Sequence, residues 1–378
     1  MHKQPTVLQV LPSLISGGVE RGTIDIAEAL VKNGFRSIVV SAGGPLVKLV
    51  ENTGATHITM PLKSKNPFRI LYNIKKLARL IKEERVDIVH ARSRAPAWSA
   101  YFASKNANCK FVTTFHGTYG MQNTCKKLYN SVMTKGNEVI AVSGFIADYI
   151  AKYYPQVNKK HIHTIHRGVD TAIFDPKNTN FERLNGLAKQ LNIPDGKFII
   201  TMPARLTDWK GHLVLIRALA GLNKKHFHCL IVGDLQNNYN YYNEILELMG
   251  KLGLDENVSF SGAIRDMPAL YMLSDVVVVA STRPEAFGRI PIEAGAMARI
   301  VIATNIGGCK ETVINNKTGF LIPPNDHKAL TLMLKKAMSL STAKREEIGT
   351  HARKLIMQNF SLDMMIKKTL AVYKKLLR

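Results

Sequence analysis

Between positions 283 and 295 the chain reads Arg283-Pro-Glu285-Ala-Phe287-Gly288-Arg289-Ile-Pro291-Ile-Glu293-Ala-Gly. Pro291 suits the first turn of a helix. A loop containing Gly288 that opens such a helix aims several backbone N–H groups at whatever lies before it. Unsatisfied amides and the helix dipole then favour an anion at that spot. Glu293, expected in the first helical turn, can accept hydrogen bonds from vicinal ribose hydroxyls, as acidic residues do in dinucleotide sites. Glu285 would lie nearer a bound sugar. The same residues also allow a plainer use, with Glu293 complementing the helix dipole and Glu285 a solvated loop charge.

A second constellation is Ala204-Arg205-Leu-Thr-Asp-Trp-Lys210-Gly211, following an apolar run at Phe198–Met202. Arg and Lys on one strand-to-helix loop can both reach a diphosphate, Arg as a planar fork and Lys as a compact point charge. Either alone could equally be a solvated cation. Ser16-Gly17-Gly18 after the first apolar run lets a phosphate or sugar approach the backbone closely, or simply makes a tight turn. It is not G-x-G-x-x-G, so nicotinamide binding is poorly supported. Gly233, and Ala263, Ile264 and Arg265 after Gly262, end two further strands where a base or ribose would lie, and Gly307-Gly308 follows another. His90 and His116 also stand at strand ends, and His116 precedes Gly117, the mark of an exposed loop. These features converge on a nucleoside diphosphate sugar. No two Asp residues stand two positions apart, so no Asp-x-Asp metal motif is present. No cofactor and no metal are expected.

The elements that position these residues are short β-branched runs alternating with helical patterns, the signature of parallel α/β architecture. The expected strands are Val7–Leu11, Ser37–Ser41, His57–Met60, Ile88–Ala91, Phe111–Phe115, Glu138–Val142 and His163–Ile165 in the first half. In the second they are Phe198–Met202, His228–Val232, Val258–Ser261, Val276–Ala280 and Ile300–Ala303. A length of 378 residues calls for two domains. The polar stretch from Phe174 to Lys197 separates them, giving domains at 1–174 and 175–359. Doubly wound sheets take ligands at the carboxyl ends of their strands, so facing domains would bind in the cleft between them. In the helical stretch Phe68–Glu84, Leu71, Ile74, Leu77, Ala78 and Ile81 form a stripe expected to pack in the core, while Arg69, Lys75, Lys76, Arg79 and Lys82 form a basic face.

The net charge is +24. Residues 1–170 hold 24 Lys and Arg against 10 Asp and Glu, so the excess leans toward the first half. Such charge attracts nucleic acid, an anionic membrane or an acidic substrate, or only keeps a surface soluble. No nucleic-acid motif or aromatic-rich basic stretch accompanies it. The four cysteines are scattered and no apolar run reaches membrane-spanning length. His2 and Lys3 lead into a strand pattern and not a signal peptide. A cytoplasmic protein is expected.

Taken together, these segments resemble glycosyltransferase family 4, of the retaining, group 1 type. The residues that carry the resemblance are Gly17-Gly18, Asp87-Ile-Val-His90, His116-Gly117, Gly168-Val-Asp170 with Phe174, Arg205-Leu through Lys210-Gly211, Gly233, Glu285 to Glu293, and Gly307-Gly308 through Glu311. The resemblance implies a GT-B fold of two facing Rossmann-like domains, with the last helix, from about Phe360 to Arg378, crossing back onto the first. It implies that Arg205 and Lys210 hold the donor diphosphate, Glu293 the ribose, and Glu285 with the backbone of Phe287, Gly288 and Arg289 the donor sugar. His116 would contact that sugar across the cleft, and Gly18 would approach the phosphates. The lack of an Asp-x-Asp pair favours metal-independent transfer; the resemblance implies front-face attack, which the residues themselves leave open against a carboxylate nucleophile. The expected partners are a UDP- or GDP-linked hexose and a saccharide or lipid-linked acceptor of envelope polysaccharide or lipopolysaccharide synthesis. The enzyme would sit peripherally on an anionic membrane. The chain departs from the family at His166-Arg167, where an Asn is common, and at Arg92, where a second His is frequent. Both departures bear on the acceptor. The rivals are a GT-B sugar-nucleotide epimerase, which consumes donor without acceptor, and a basic nucleic-acid-binding protein.

Overall fold

A computed structural model describes residues 4–15, 17–64, 66–120, 123–235 and 238–378. His2, Lys3 and Ser16, singled out above, lie outside them. The chain divides into two compact units, Met1–Arg167 with Met365–Arg378, and Gly168–Met364.

The first unit is a seven-stranded parallel sheet. Its strands are β1 (Thr6–Val10), β2 (Arg36–Ser41), β3 (Thr56–Thr59), β4 (Ile88–Ala91), β5 (Lys110–Phe115), β6 (Glu138–Ala141) and β7 (Ile162–Thr164), in the order β3-β2-β1-β4-β5-β6-β7. Every residue of β1 is buried, as strands covered on both faces by helices require. The last helix, Leu362–Leu376, closes this unit through Tyr373, which is fully buried, and through an ion pair of 2.7 Å between Lys375 and Glu138.

In the second unit β8 (Phe198–Pro203), β9 (Phe227–Val232), β10 (Val258–Gly262), β11 (Val276–Val279), β12 (Ile300–Thr304) and β13 (Gly319–Ile322) follow the order β10-β9-β8-β11-β12-β13, again all parallel. Strand β13 goes beyond the sequence expectation: it opens on a glycine directly after the polar stretch Asn315-Asn316-Lys317-Thr318. In each sheet the order reverses beside its first strand, at β1/β4 and at β8/β11. Doubly wound sheets bind ligands at the carboxyl ends of the strands flanking that point.

The helix Pro67–Glu83 begins as its sequence suggests, with Pro67 in the first turn and the Asn66 side chain accepting from the amides of Phe68 and Arg69. Its packed line differs from expectation. Asn73, Leu77 and Ile81 are the buried positions, whereas Leu71 is 60% exposed. Asn73 can replace an apolar residue because its amide donates to the Pro61 carbonyl at 3.1 Å. Among the described residues no helix is long and apolar enough to cross a membrane.

Candidate active site

The loop after β8 carries Arg205 and Lys210, and the loop after β11 carries Glu285, so the two constellations flank the reversal point of the second sheet. The Lys210 ammonium donates to Glu285 Oε1 at 2.7 Å, with both side chains largely enclosed. The Ser281 hydroxyl donates to the same oxygen at 2.5 Å. Lys210 Nζ also lies 4.4 Å from the centroid of the Trp209 ring, a cation–π contact that fixes the stem of the side chain. Arg205 is exposed, and among the described residues its guanidinium has no hydrogen-bond or ion-pair partner. One cation is thus anchored and the other is available.

The helix that follows spans Arg289–Ala296, with Gly288 as N-cap at φ 87° and no side chain capping the first amides. Those amides remain open to an anion. Beginning at Arg289 and not at Pro291, the helix carries Glu293 into its second turn, which corrects the first-turn expectation. The macrodipole acts chiefly within the first turn, so other groups hold Glu293. Its carboxylate, in a residue only 8% exposed, accepts from the Tyr271 hydroxyl at 3.0 Å and pairs with Arg289 at 3.0 Å. Burial, followed by the Glu293 charge, drives the Tyr271 phenol well above its ordinary pKa, so it stays a donor. Phe287 is buried with its ring 5.8 Å from that of Phe360, which leaves only its backbone to meet a ligand.

Gly233, Gly307 and Gly308 also let loops pack on one another. A side-chain carbon on Gly233 would lie 2.0 Å from the Ala204 carbonyl oxygen, and one on Gly307 would lie 2.4 Å from that of Glu285. Gly233 therefore lets the Arg205 loop pack, and Gly307-Gly308 lets the loop after β12 press on the Glu285 backbone, where the Gly308 N–H donates to the Glu285 carbonyl at 2.8 Å. Of the three residues after β10, Ile264 packs half-buried against a cluster containing Leu187, Leu230 and Leu270, while Ala263 and Arg265 are exposed.

In the first unit His90 is a core residue. Its Nδ1 bonds the Tyr373 hydroxyl at 2.6 Å and its Nε2 the Thr114 hydroxyl at 2.7 Å. His116 differs: both ring nitrogens are buried without a hydrogen-bond partner. Burial, then the charges of Arg167 and Arg92, hold its pKa well below the ordinary value, so the imidazole is neutral. Gly17 caps the helix Gly18–Lys32, and the Gly18 carbonyl accepts from Arg167 Nη2 at 2.9 Å. Nothing local in the chain marks Tyr271 or Ser281 as a partner of the carboxylates, and only Trp209 adjoins its partner, Lys210, in the chain.

Residues 186–355 match the family model for glycosyl transferases group 1, and residues 16–173 that for glycosyltransferase family 4. A glycosyltransferase from Rickettsia africae ESF-5 of known crystal structure is 46% identical over the whole of both chains, with a TM-score of 0.93. HepE of Anabaena, crystallised with UDP and glucose, is 23% identical over 98% of this chain and 100% of its own, with a TM-score of 0.86. The N-acetyl-alpha-D-glucosaminyl L-malate synthase of Bacillus anthracis is 25% identical over 97% of this chain and 96% of its own. With both halves matched and a relative of that identity along its full length, this chain is a glycosyltransferase of group 1, built on the two Rossmann-like units of the GT-B fold.

Proposed function

We propose that the chain transfers a hexose from UDP-sugar to a saccharide or glycolipid, with retention at the anomeric carbon and without a metal. The observation that carries this reading is the meeting of Lys210 with Glu285 at the carboxyl end of the second sheet, beside the unpartnered Arg205. As the glycosidic bond to the donor phosphate breaks, negative charge grows on the nucleoside diphosphate. Arg205, Lys210 and the open amides after Gly288 are fixed donors for it, and preorganised electrostatics of this kind usually supply the largest share of rate enhancement. Glu293, held by Tyr271 and Arg289, accepts from the ribose hydroxyls. Glu285 is bound at one oxygen by Lys210 and Ser281, which suits a hydrogen-bond acceptor for sugar hydroxyls better than a nucleophile. That favours attack from the face of departure. The choice of uridine is supported by the UDP complex of HepE.

The acceptor, on this proposal, is an envelope saccharide or lipopolysaccharide-type glycolipid met at the cytoplasmic membrane surface. Support comes from the helix Pro67–Glu83, where Phe68 is 81%, Leu71 60% and Tyr72 56% exposed among Arg69, Lys75, Lys76 and Arg79. An exposed apolar cluster within a basic face is the composition of an interfacial helix.

Thermal unfolding with UDP, GDP and ADP, each with and without EDTA, tests the donor reading. A ligand at a hundred times its dissociation constant adds about 2.7 kcal/mol of stability. UDP should raise Tm most and keep doing so in EDTA. No rise with any of the three would sink the proposal, and a rise abolished by EDTA would overturn the metal-free part.

A further inference from the structure

We propose that Arg92 and Arg167 form an oxyanion subsite over Gly22 in the first unit, and that the acceptor carries a phosphate or carboxylate group bound there. That the bound group belongs to an acceptor rests on the transferase function above. The subsite itself rests on the geometry of one unit.

A side-chain carbon on Gly22 would lie 2.3 Å from Arg167 Nη1 and 3.2 Å from Arg92 Nη2. Both guanidiniums therefore reach one spot on the helix Gly18–Lys32, a spot that exists because position 22 has no side chain. Arg92 directly follows β4, its N–H donating to the Val10 carbonyl at the end of β1 at 2.9 Å. The pair thus sits at the carboxyl ends of the two strands where this sheet reverses its order, the ligand edge of such a sheet. These are also the two positions at which the sequence departs from the family it resembles.

Arg92 is buried with part of its guanidinium unsatisfied. It is 4% exposed, its Nε has no acceptor, and the groups drawing on its charge are the Tyr373 hydroxyl and a single carboxylate, Asp25. Buried donors are normally satisfied, and leaving one unmade is costly. His116, held neutral beside the same two arginines, adds two ring nitrogens without partners. A phosphate or carboxylate supplies an acceptor for the Arg92 Nε and for an imidazole N–H, with oxygens that can accept from forked guanidiniums in parallel bonds. A neutral sugar hydroxyl supplies neither the charge nor the bidentate geometry.

The test is calorimetric titration of the protein with inorganic phosphate and with malonate, in saturating UDP so that the donor phosphate site is filled. The wild type should bind at least one probe, and the tighter one distinguishes a phosphate from a carboxylate. Arg167→Asn and Arg92→Gln should each weaken that binding at least tenfold, with thermal melts confirming that each variant is folded. Because Arg92 is buried, its variant can fail to fold, and Arg167→Asn then decides alone. Failure of the wild type to bind either probe, or binding by Arg167→Asn equal to wild type, overturns the subsite. Failure to bind UDP, read in the same instrument beforehand, counts against the donor assignment only. The probes are then titrated without nucleotide, and loss in Arg205→Ala in place of Arg167→Asn would overturn the subsite.

Discussion

Lys210 has two acceptors competing for one ammonium. It is bonded to Glu285, and a donor diphosphate would draw on the same charge. Arg205, on the same loop and unpartnered, has no such competition. Removing a fixed donor to a developing oxyanion typically costs about 3 kcal/mol, or roughly a hundredfold or more in turnover. Arg205→Ala and Lys210→Ala should each show that loss at saturating donor. Lys210→Ala should also cost about 1–3 kcal/mol of stability, because Glu285 loses its charged partner. Turnover near wild type in both variants would remove them from the diphosphate. Glu293 offers a separate check. Tyr271→Phe deletes one buried hydrogen bond to a carboxylate, worth about 1.5–3 kcal/mol, and should weaken UDP binding by roughly tenfold in a calorimetric titration. Undiminished affinity would detach Glu293 from the ribose. At this scale the sequence singles out Arg205, Lys210, Glu285 and Glu293 as candidates, since they lie on loop-to-helix segments whose polarity is local. It did not disclose their supports. Tyr271 reaches Glu293 from another helix, and what faces the missing side chains of Gly233 and Gly307 depends on which loops become neighbours.

Strands were the legible elements because most are short apolar runs covered on both sides, the edge strands β3 and β7 less so, and every run chosen from β-branched density is a strand in the structure. Amphipathic faces were less legible, and the helix Pro67–Glu83 shows why. Periodicity finds a stripe but not its partner, and the stripe here is turned so that Asn73, Leu77 and Ile81 meet the unit while Phe68, Leu71 and Tyr72 do not. The consequence is testable on vesicles. Each basic residue close to an anionic leaflet contributes about 1 kcal/mol, screened over a Debye length, whereas buried apolar area is insensitive to salt. The protein should co-sediment with anionic vesicles at low salt and partly remain bound at 0.5 M salt. Replacing Phe68, Leu71 and Tyr72 together by Ser should abolish the salt-resistant fraction and leave the salt-sensitive one. Equal, negligible sedimentation with neutral and anionic vesicles at low salt would remove the membrane surface from the proposal.

Across the whole molecule a net charge of +24 coexists with histidines kept neutral inside both units. His90, enclosed with Tyr373, Thr114 and Arg92, and His116, enclosed with Arg167 and Arg92, have pKa values held well below the ordinary 6.5, first by burial and then by those arginines. His212, in the second unit, is lowered to about 4 by burial, opposed in part by the backbone of Ala204 and Thr207 and aided by Lys210. Neither the burial nor the neighbouring cations could be read from His90, His116 and His212 in the chain, where each is a lone imidazole. The direction of the effect on stability follows from proton counting. Above pH 6.5 these histidines are neutral folded and unfolded, and they contribute no pH dependence. Below it the unfolded chain takes up protons that the folded chain refuses, so stability falls as pH falls. For His212 the loss accumulates between 6.5 and about 4 and reaches about 3 kcal/mol, since each pKa unit is worth about 1.4. His90 and His116 add to it in the same direction. Urea unfolding at pH 8, 7, 6 and 5 should therefore give nearly constant stability over the first two points and a progressive decline over the last two. His212→Gln should make that decline shallower, even if it lowers stability at pH 8. A stability profile that stays level from pH 7 to pH 5 would show that these imidazoles can take up protons while folded, and that neither the arginines nor burial controls them.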